Sequence, residues 1–180
     1  MLLAQDRIAR QSLTTKIGLT LAAAALIALG AKVQLPFWPV PMTLQTLAVL
    51  VIAAGLGPRL GLAAMGAYMA AGLAGLPVFA GSPERGLGLA YLAGPTTGFL
   101  IGMALAMVVT GALAQGRGLG MRAVAMIAGT VAIYVPGLIW LSAFVPADQL
   151  LAVGVAPFIL GDIVKVVLGT LALQLGQQRR

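Results

Sequence analysis

The sequence has 180 residues, 61% of them hydrophobic and 8% charged, with eleven basic side chains against four acidic ones. A soluble domain carries roughly 25% charged residues, and with a mean hydropathy of +1.05 this chain cannot cover a surface that faces water. A soluble globule is therefore excluded, as are a disulfide framework and histidine chemistry, because the chain has neither cysteine nor histidine.

In chain order, six apolar segments are predicted to cross a bilayer, whose ~30 Å hydrocarbon core needs about 17–25 apolar residues per helix. The first, 17–31, lies between Lys16 and Lys32, whose stems can snorkel to the two interfaces. Its basic flank and small residues at Ala28–Ala31 also fit a cleaved signal peptide, but the 16-residue leader is long for one, and an uncleaved helix is the reading adopted. The others are 42–56, 60–79, 91–114, 123–144 and 156–175. They are separated by Gly/Pro-rich breaks: Leu35-Pro36-Phe37-Trp38-Pro39-Val40-Pro41, Gly55-Leu56-Gly57-Pro58 and Gly116-Arg117-Gly118-Leu119-Gly120. The predicted fold is an all-α integral membrane protein, a single transmembrane domain of six helices over 1–180.

The net charge of +7 is spread along the chain and forms no basic tract, so it reads as topology and not as nucleic-acid binding. With the N-terminus cytoplasmic, Arg7, Arg10, Lys16, Arg59, Arg117, Arg122, Arg179 and Arg180 lie inside. Only Lys32 and Arg85 lie outside, and Lys165 falls within the sixth helix. That bias predicts N-in/C-in, with Trp38 and Trp140 at the outer interface.

Charged groups inside a span are costly and usually functional. Gly161-Asp162-Ile163-Val164-Lys165 puts Asp162 and Lys165 on one helical face, three residues apart. They are either a structural ion pair or an acceptor and a cation offered to a solute. Depth favours a site: Asp162, Thr43 and Gln45 all fall near the outer ends of their helices. The outer loop 80–90 adds Arg85 and ends at Tyr91. Singly, Gln45 fits a helix–helix hydrogen bond, Tyr91 an interfacial anchor and Arg85 a solvated pair with Glu84; their convergence is the signal. Gly94, Gly98 and Gly102 form a small-residue stripe suited to close packing. Ala22–Ala25 with Ala28 make a smooth face on the first helix, suited to packing or to docking a membrane partner.

No G-x-x-x-x-G-K-[ST] phosphate loop, metal motif or nucleophile–base pair is present, so enzymatic chemistry is unsupported. A solute binder without a motor needs an ion gradient or an energised partner.

Pro39-Val40-Pro41-Met42-Thr43-Leu44-Gln45-Thr46-Leu47 resembles the start of the second helix in the BioY family, the biotin-capturing S components of energy-coupling factor transporters. So do the stretches from Gly72 to Gly81, from Gly94 to Gly102 and from Gly161 to Lys165, in family order. The resemblance implies a six-helix S-component bundle in a prokaryotic cell membrane, with a vitamin site opening outward beneath the first and third outer loops. It also implies a transmembrane coupling protein and a pair of cytoplasmic ATPases as partners, docked through an alanine face that includes Ala24 and Ala28. Biotin, bound but not as a cofactor, would then meet Asp162, Lys165, Arg85, Tyr91, Gln45 and Thr43, with Trp38 or Phe158 over its apolar ring face. Arg85 is matched to its carboxylate, although the loop Ser82-Pro83-Glu84-Arg85 is less glycine-rich than in many relatives. Two other readings stay open: an ion-coupled carrier using Asp162 as a proton or sodium site, and a structural protein in which Asp162 and Lys165 merely pair.

Overall fold

The computed structural model describes residues 11–35 and 42–178. Helix α1 (Leu13–Lys32) starts at Ser12, whose Oγ accepts from the Thr15 amide at 3.2 Å and satisfies one of the N–H groups that a helix start leaves open. A short antiparallel ribbon follows, β1 (Gln34–Leu35) against β2 (Met42–Thr43), with Gln34 opposite Thr43. It returns the chain to the end of α1, where the next helix begins.

That helix, α2 (Gln45–Leu73), holds 29 residues. In a continuous helix, a rise of 1.5 Å per residue would set Gln45 and Tyr68 about 35 Å apart, yet Gln45 Nε2 donates to Tyr68 Oη at 3.0 Å. The helix therefore doubles back. The reversal sits at Gly57, whose φ of 83° and ψ of 175° are non-helical, and Pro58 then restarts the helix with its preset φ. The two arms, 45–56 and 58–73, pack against each other closely enough that a Cβ on Gly61 would lie 3.6 Å from Ala53 Cα.

The second arm ends at Leu73, short of the predicted Phe79, because Gly75 takes a positive φ of 93° and the chain turns back. The predicted segment 91–114 is likewise divided. A short helix, α3 (Gly88–Leu92), precedes the break at Gly94-Pro95, and α4 (Thr97–Ala114) carries the span; Pro95 lacks the amide needed to continue. Helices α5 (Leu119–Leu141), α6 (Leu150–Gly154) and α7 (Ile159–Gln178) complete the chain. Among the described residues, five stretches are long and apolar enough to cross a membrane: Leu13–Lys32, Gln45–Leu73, Thr97–Ala114, Leu119–Leu141 and Leu150–Leu175.

The core runs along both arms of α2 and the inner faces of α1, α4 and α5, through Ile27, Val49, Ala53, Met65, Met107 and Met126. Leu21, Leu29, Ile127, Ile139 and Leu168 point outward and are exposed, an arrangement suited to acyl chains and not to water. Of the predicted glycine stripe, Gly98 and Gly102 serve close packing of α4 on α5, whereas Gly94 lies before α4, where a Cβ would meet only the Tyr91 carbonyl. A Cβ on Gly102 would stand 2.7 Å from Ile133 Cα, and one on Gly98 would strike the Pro136 carbonyl and Trp140. Arg7, Arg10, Arg179, Arg180 and Trp38, which entered the predicted topology, lie outside the described residues.

Candidate functional site

One end of the bundle, opposite the Gly57 reversal, holds a cavity of about 210 Å³. Drug-sized ligands occupy roughly 300–1,000 Å³, so this cavity suits a small solute. Its wall is mostly apolar, with Met42, Phe99, Leu100, Met103, Ile133 and Phe158 among its residues. All six solute-contacting residues expected from the sequence (Thr43, Gln45, Arg85, Tyr91, Asp162 and Lys165) line it.

Asp162 stands in the first turn of α7, where the exposed amides of a helix start favour negative charge. Lys165 follows one turn later, and its Nζ lies 3.2 Å from Asp162 Oδ1. Their side chains are only 15% and 5% exposed, respectively, so neither charge is solvated and each depends on the other. Lys165 also donates to Thr46 Oγ1 at 2.8 Å, and the Tyr134 hydroxyl donates to Asp162 Oδ2. The pair is thus fixed from three elements: α7 itself, the first arm of α2 through Thr46 and α5 through Tyr134. It forms part of the cavity wall. The ion-pair geometry considered from the sequence is present, and it faces the place where a solute would sit.

Gln45 is buried and tied to Tyr68 across the two arms; the side-chain hydrogen bond between helices anticipated for it is realised, at the cavity wall. Tyr91 is buried, not interfacial: its hydroxyl donates to the Ala80 carbonyl at 2.8 Å and its ring stacks on Phe79 at 4.6 Å between centroids. Arg85 sits in the exposed loop above, with its stem across Gly81. Phe158 lines the cavity as expected, whereas Trp38 lies outside the described residues. Ala24 and Ala28 are half-buried and rest on the bundle's own core, beside the exposed Leu21, Ala22, Ala25 and Leu26.

Several wall residues escaped the sequence reading. Tyr134 is a lone hydroxyl-bearing ring in an apolar span, one end of which needs a partner when buried; that was the available signal. Thr46 lies next to Gln45 and was legible only as part of the same polar cluster. Thr96 and Thr130 also line the cavity. Lys32, read only as a lysine at the end of the first helix, reaches across to the loop after α2: its Nζ donates to Phe79 O at 3.0 Å, Ser82 O at 2.6 Å and Ser82 Oγ at 3.0 Å.

The fold is similar to that of a solved S component for biotin from an ECF-type ABC transporter, with a TM-score of 0.77 and 23% identity, covering 93% of this chain and 95% of that one. In sequence, the chain is 38% identical to a probable biotin transporter BioY of Pyrococcus horikoshii over 78% of its own length and 83% of the relative's. It is also 38% identical to the biotin transporters BioY of Thermotoga maritima and Rhodobacter capsulatus. The first match covers 82% of this chain and 86% of the relative, the second 92% and 93%. With the BioY family model matching residues 5–180, the chain belongs to the BioY family.

Proposed function

We propose that this protein captures biotin at the outer face of a prokaryotic cell membrane and serves as the substrate-binding S component of an energy-coupling factor transporter. The observation that carries the reading is the Asp162–Lys165 pair, held in the wall of a small apolar cavity in a chain of the BioY family. Biotin's ureido ring offers N–H donors and a carbonyl acceptor, which Asp162 and Lys165 complement. Its tail ends in a carboxylate, for which Arg85 is the cation nearest the mouth. Of the charged groups lining the cavity, Arg85 and Lys165 are positive and Asp162 negative, so the wall carries a net +1 that a monoanion neutralises. Tyr91, Gln45 and Thr43 complete the polar contacts, and Phe158 covers the ring face.

Counting the arms of α2 separately gives six spans in one transmembrane domain, with both termini cytoplasmic and the cavity outside. With no phosphate loop of its own, the protein depends on a coupling protein and a cytoplasmic ATPase pair. The strip on α1 that borders Ala24 and Ala28 is the docking face.

The test is equilibrium binding of biotin to the purified protein in detergent, with desthiobiotin, thiamine and riboflavin as comparators, followed by uptake in vesicles. The expected outcome is tight one-to-one binding selective for biotin without nucleotide, and uptake only when the partners and ATP are supplied. Absence of binding by a folded, monodisperse sample removes the biotin reading. Gradient-driven uptake by the protein alone, abolished by Asp162→Asn, would favour an ion-coupled carrier.

Tyr134→Phe removes the hydroxyl that aims the Asp162 carboxylate. A hydrogen bond to a charged group is worth about 1.5–3 kcal/mol, so biotin affinity should fall by roughly ten- to a hundredfold. Calorimetry on the variant checks this, and an unchanged Kd would detach Tyr134 from the site.

A further inference from the structure

The outer end of α1 and the loop after α2 are joined by one side chain. Lys32 has three N–H donors, and three oxygens of a single turn receive them: Phe79 O, Ser82 O and Ser82 Oγ, at 2.6–3.0 Å. Ser82 Oγ itself donates to Phe79 O at 2.7 Å, so the turn closes around the ammonium. Phe79 is fully buried, edge-on to Tyr68 and stacked on Tyr91. From this base the chain runs directly into the turn that carries Arg85, whose amide donates to the Gly81 carbonyl at 2.9 Å. Ala80 and Arg85, on either side of the held Ser82, both line the cavity. A lysine that only anchored α1 at the interface would direct its ammonium to water or headgroups; here it is directed at the protein, 47 and 50 residues further along the chain.

We propose that Lys32 is a positioning residue for solute capture: by binding Phe79 and Ser82 it holds the loop so that the Arg85 guanidinium stays over the cavity mouth. The inference deepens the biotin-capture reading and rests on it. Lys32 touches no solute. It acts through Arg85, so its contribution is confined to a ligand that brings a carboxylate.

The experiment compares Lys32→Met, Ser82→Ala, Arg85→Met and the double variant Lys32→Met/Arg85→Met, with biotin and biotinamide as probes, in stopped-flow and equilibrium binding. Lys32→Met should weaken biotin about tenfold, the value of one charge-assisted hydrogen bond, chiefly through faster dissociation. Ser82→Ala, which deletes one of the three acceptors without stranding a charge, should move biotin the same way by less. Biotinamide affinity should be unchanged by Lys32→Met, and the substitution should add nothing on the Arg85→Met background. Equal losses for biotin and biotinamide, additive effects with Arg85→Met, or an unaltered biotin affinity would overturn the proposal. Hydrogen exchange at the amides of 79–86 provides a ligand-free readout. Lys32→Met should accelerate it locally, and unchanged exchange there refutes the tether. Failure of the wild type to bind biotin would refute the capture reading instead, while the exchange result would still decide whether Lys32 orders the loop.

Discussion

Asp162→Asn is expected to cost the protein about a hundredfold or more in biotin affinity while leaving it folded in detergent. The carboxylate accepts from Lys165 and from the Tyr134 hydroxyl and keeps acceptor capacity for a ligand N–H. The amide that replaces it turns one oxygen into a donor. Placed against Lys165 Nζ, that donor opposes another donor; placed against Tyr134, it reverses the only polar contact the ring makes with α7. Either orientation removes the counter-charge from a lysine that is only 5% exposed. Breaking a buried ion pair by neutralising one partner costs about 3–5 kcal/mol, and the binding step bears part of this because the ligand must then satisfy Lys165 alone. Calorimetric titration gives the affinity, and the thermal midpoint in detergent separates loss of binding from loss of fold. If the variant bound biotin as the parent does, the ureido contact would have to be assigned elsewhere. A more informative companion is Asp162→Lys with Lys165→Asp. It keeps the ion pair but moves the acceptor one turn deeper and away from Tyr134, so stability should largely survive while biotin binding is lost. Retained binding there would show that the pair is read only by its net charge.

How far the site could be seen in the sequence follows from the same physics. Asp162 and Lys165 stood out because charge is rare inside an apolar helix, and their spacing of three fixed them to one face. Gln45, Thr43, Arg85 and Tyr91 were recoverable only by putting them at a common depth, which required the topology first. Tyr134 carries only a weaker mark, a hydroxyl in an apolar span that needs some partner, and which partner is seen only once the hydroxyl stands against Asp162. The partners of Lys32 were missed for a different reason. Local sequence can say that a lysine ends a helix, but not that three oxygens some fifty residues later will meet it. The fold shows the same division. Gly57-Pro58 announced its break through backbone chemistry alone, whereas the predicted segment 91–114 ran straight through the break at Gly94-Pro95. The end of α2 at Leu73 depends on Phe79 folding back between Tyr68 and Tyr91, a tertiary contact that hydropathy does not record.

Gly57→Val should prevent the protein from accumulating in a folded form, although the residue lies at the far end of the bundle from the cavity. With φ at 83° and ψ at 175°, Gly57 occupies a region open almost solely to glycine, where another residue costs on the order of 1–3 kcal/mol; a β-branched side chain, stiff at χ1, adds to that. A Cβ at this position would also displace the end of the Gln115 side chain, a smaller cost because that side chain can swing aside. Across the interface Gly111 is packed so closely that its own Cβ would meet Pro58 N at 2.6 Å, so the turn cannot relax toward α4. The two penalties fall on the one residue that lets 45–56 and 58–73 run side by side. If the reversal opens, Gln45 loses Tyr68 and the first arm no longer delivers Thr46 to Lys165. The cavity would then be lost together with the hairpin. Size-exclusion profiles and thermal midpoints of Gly57→Ala and Gly57→Val in detergent check this. The alanine variant should already be markedly destabilised, and the valine variant should be aggregated or absent. A monodisperse Gly57→Val protein that still binds biotin would mean that the reversal can be made without the left-handed glycine, and the dependence of the distant cavity on this turn would have to be abandoned.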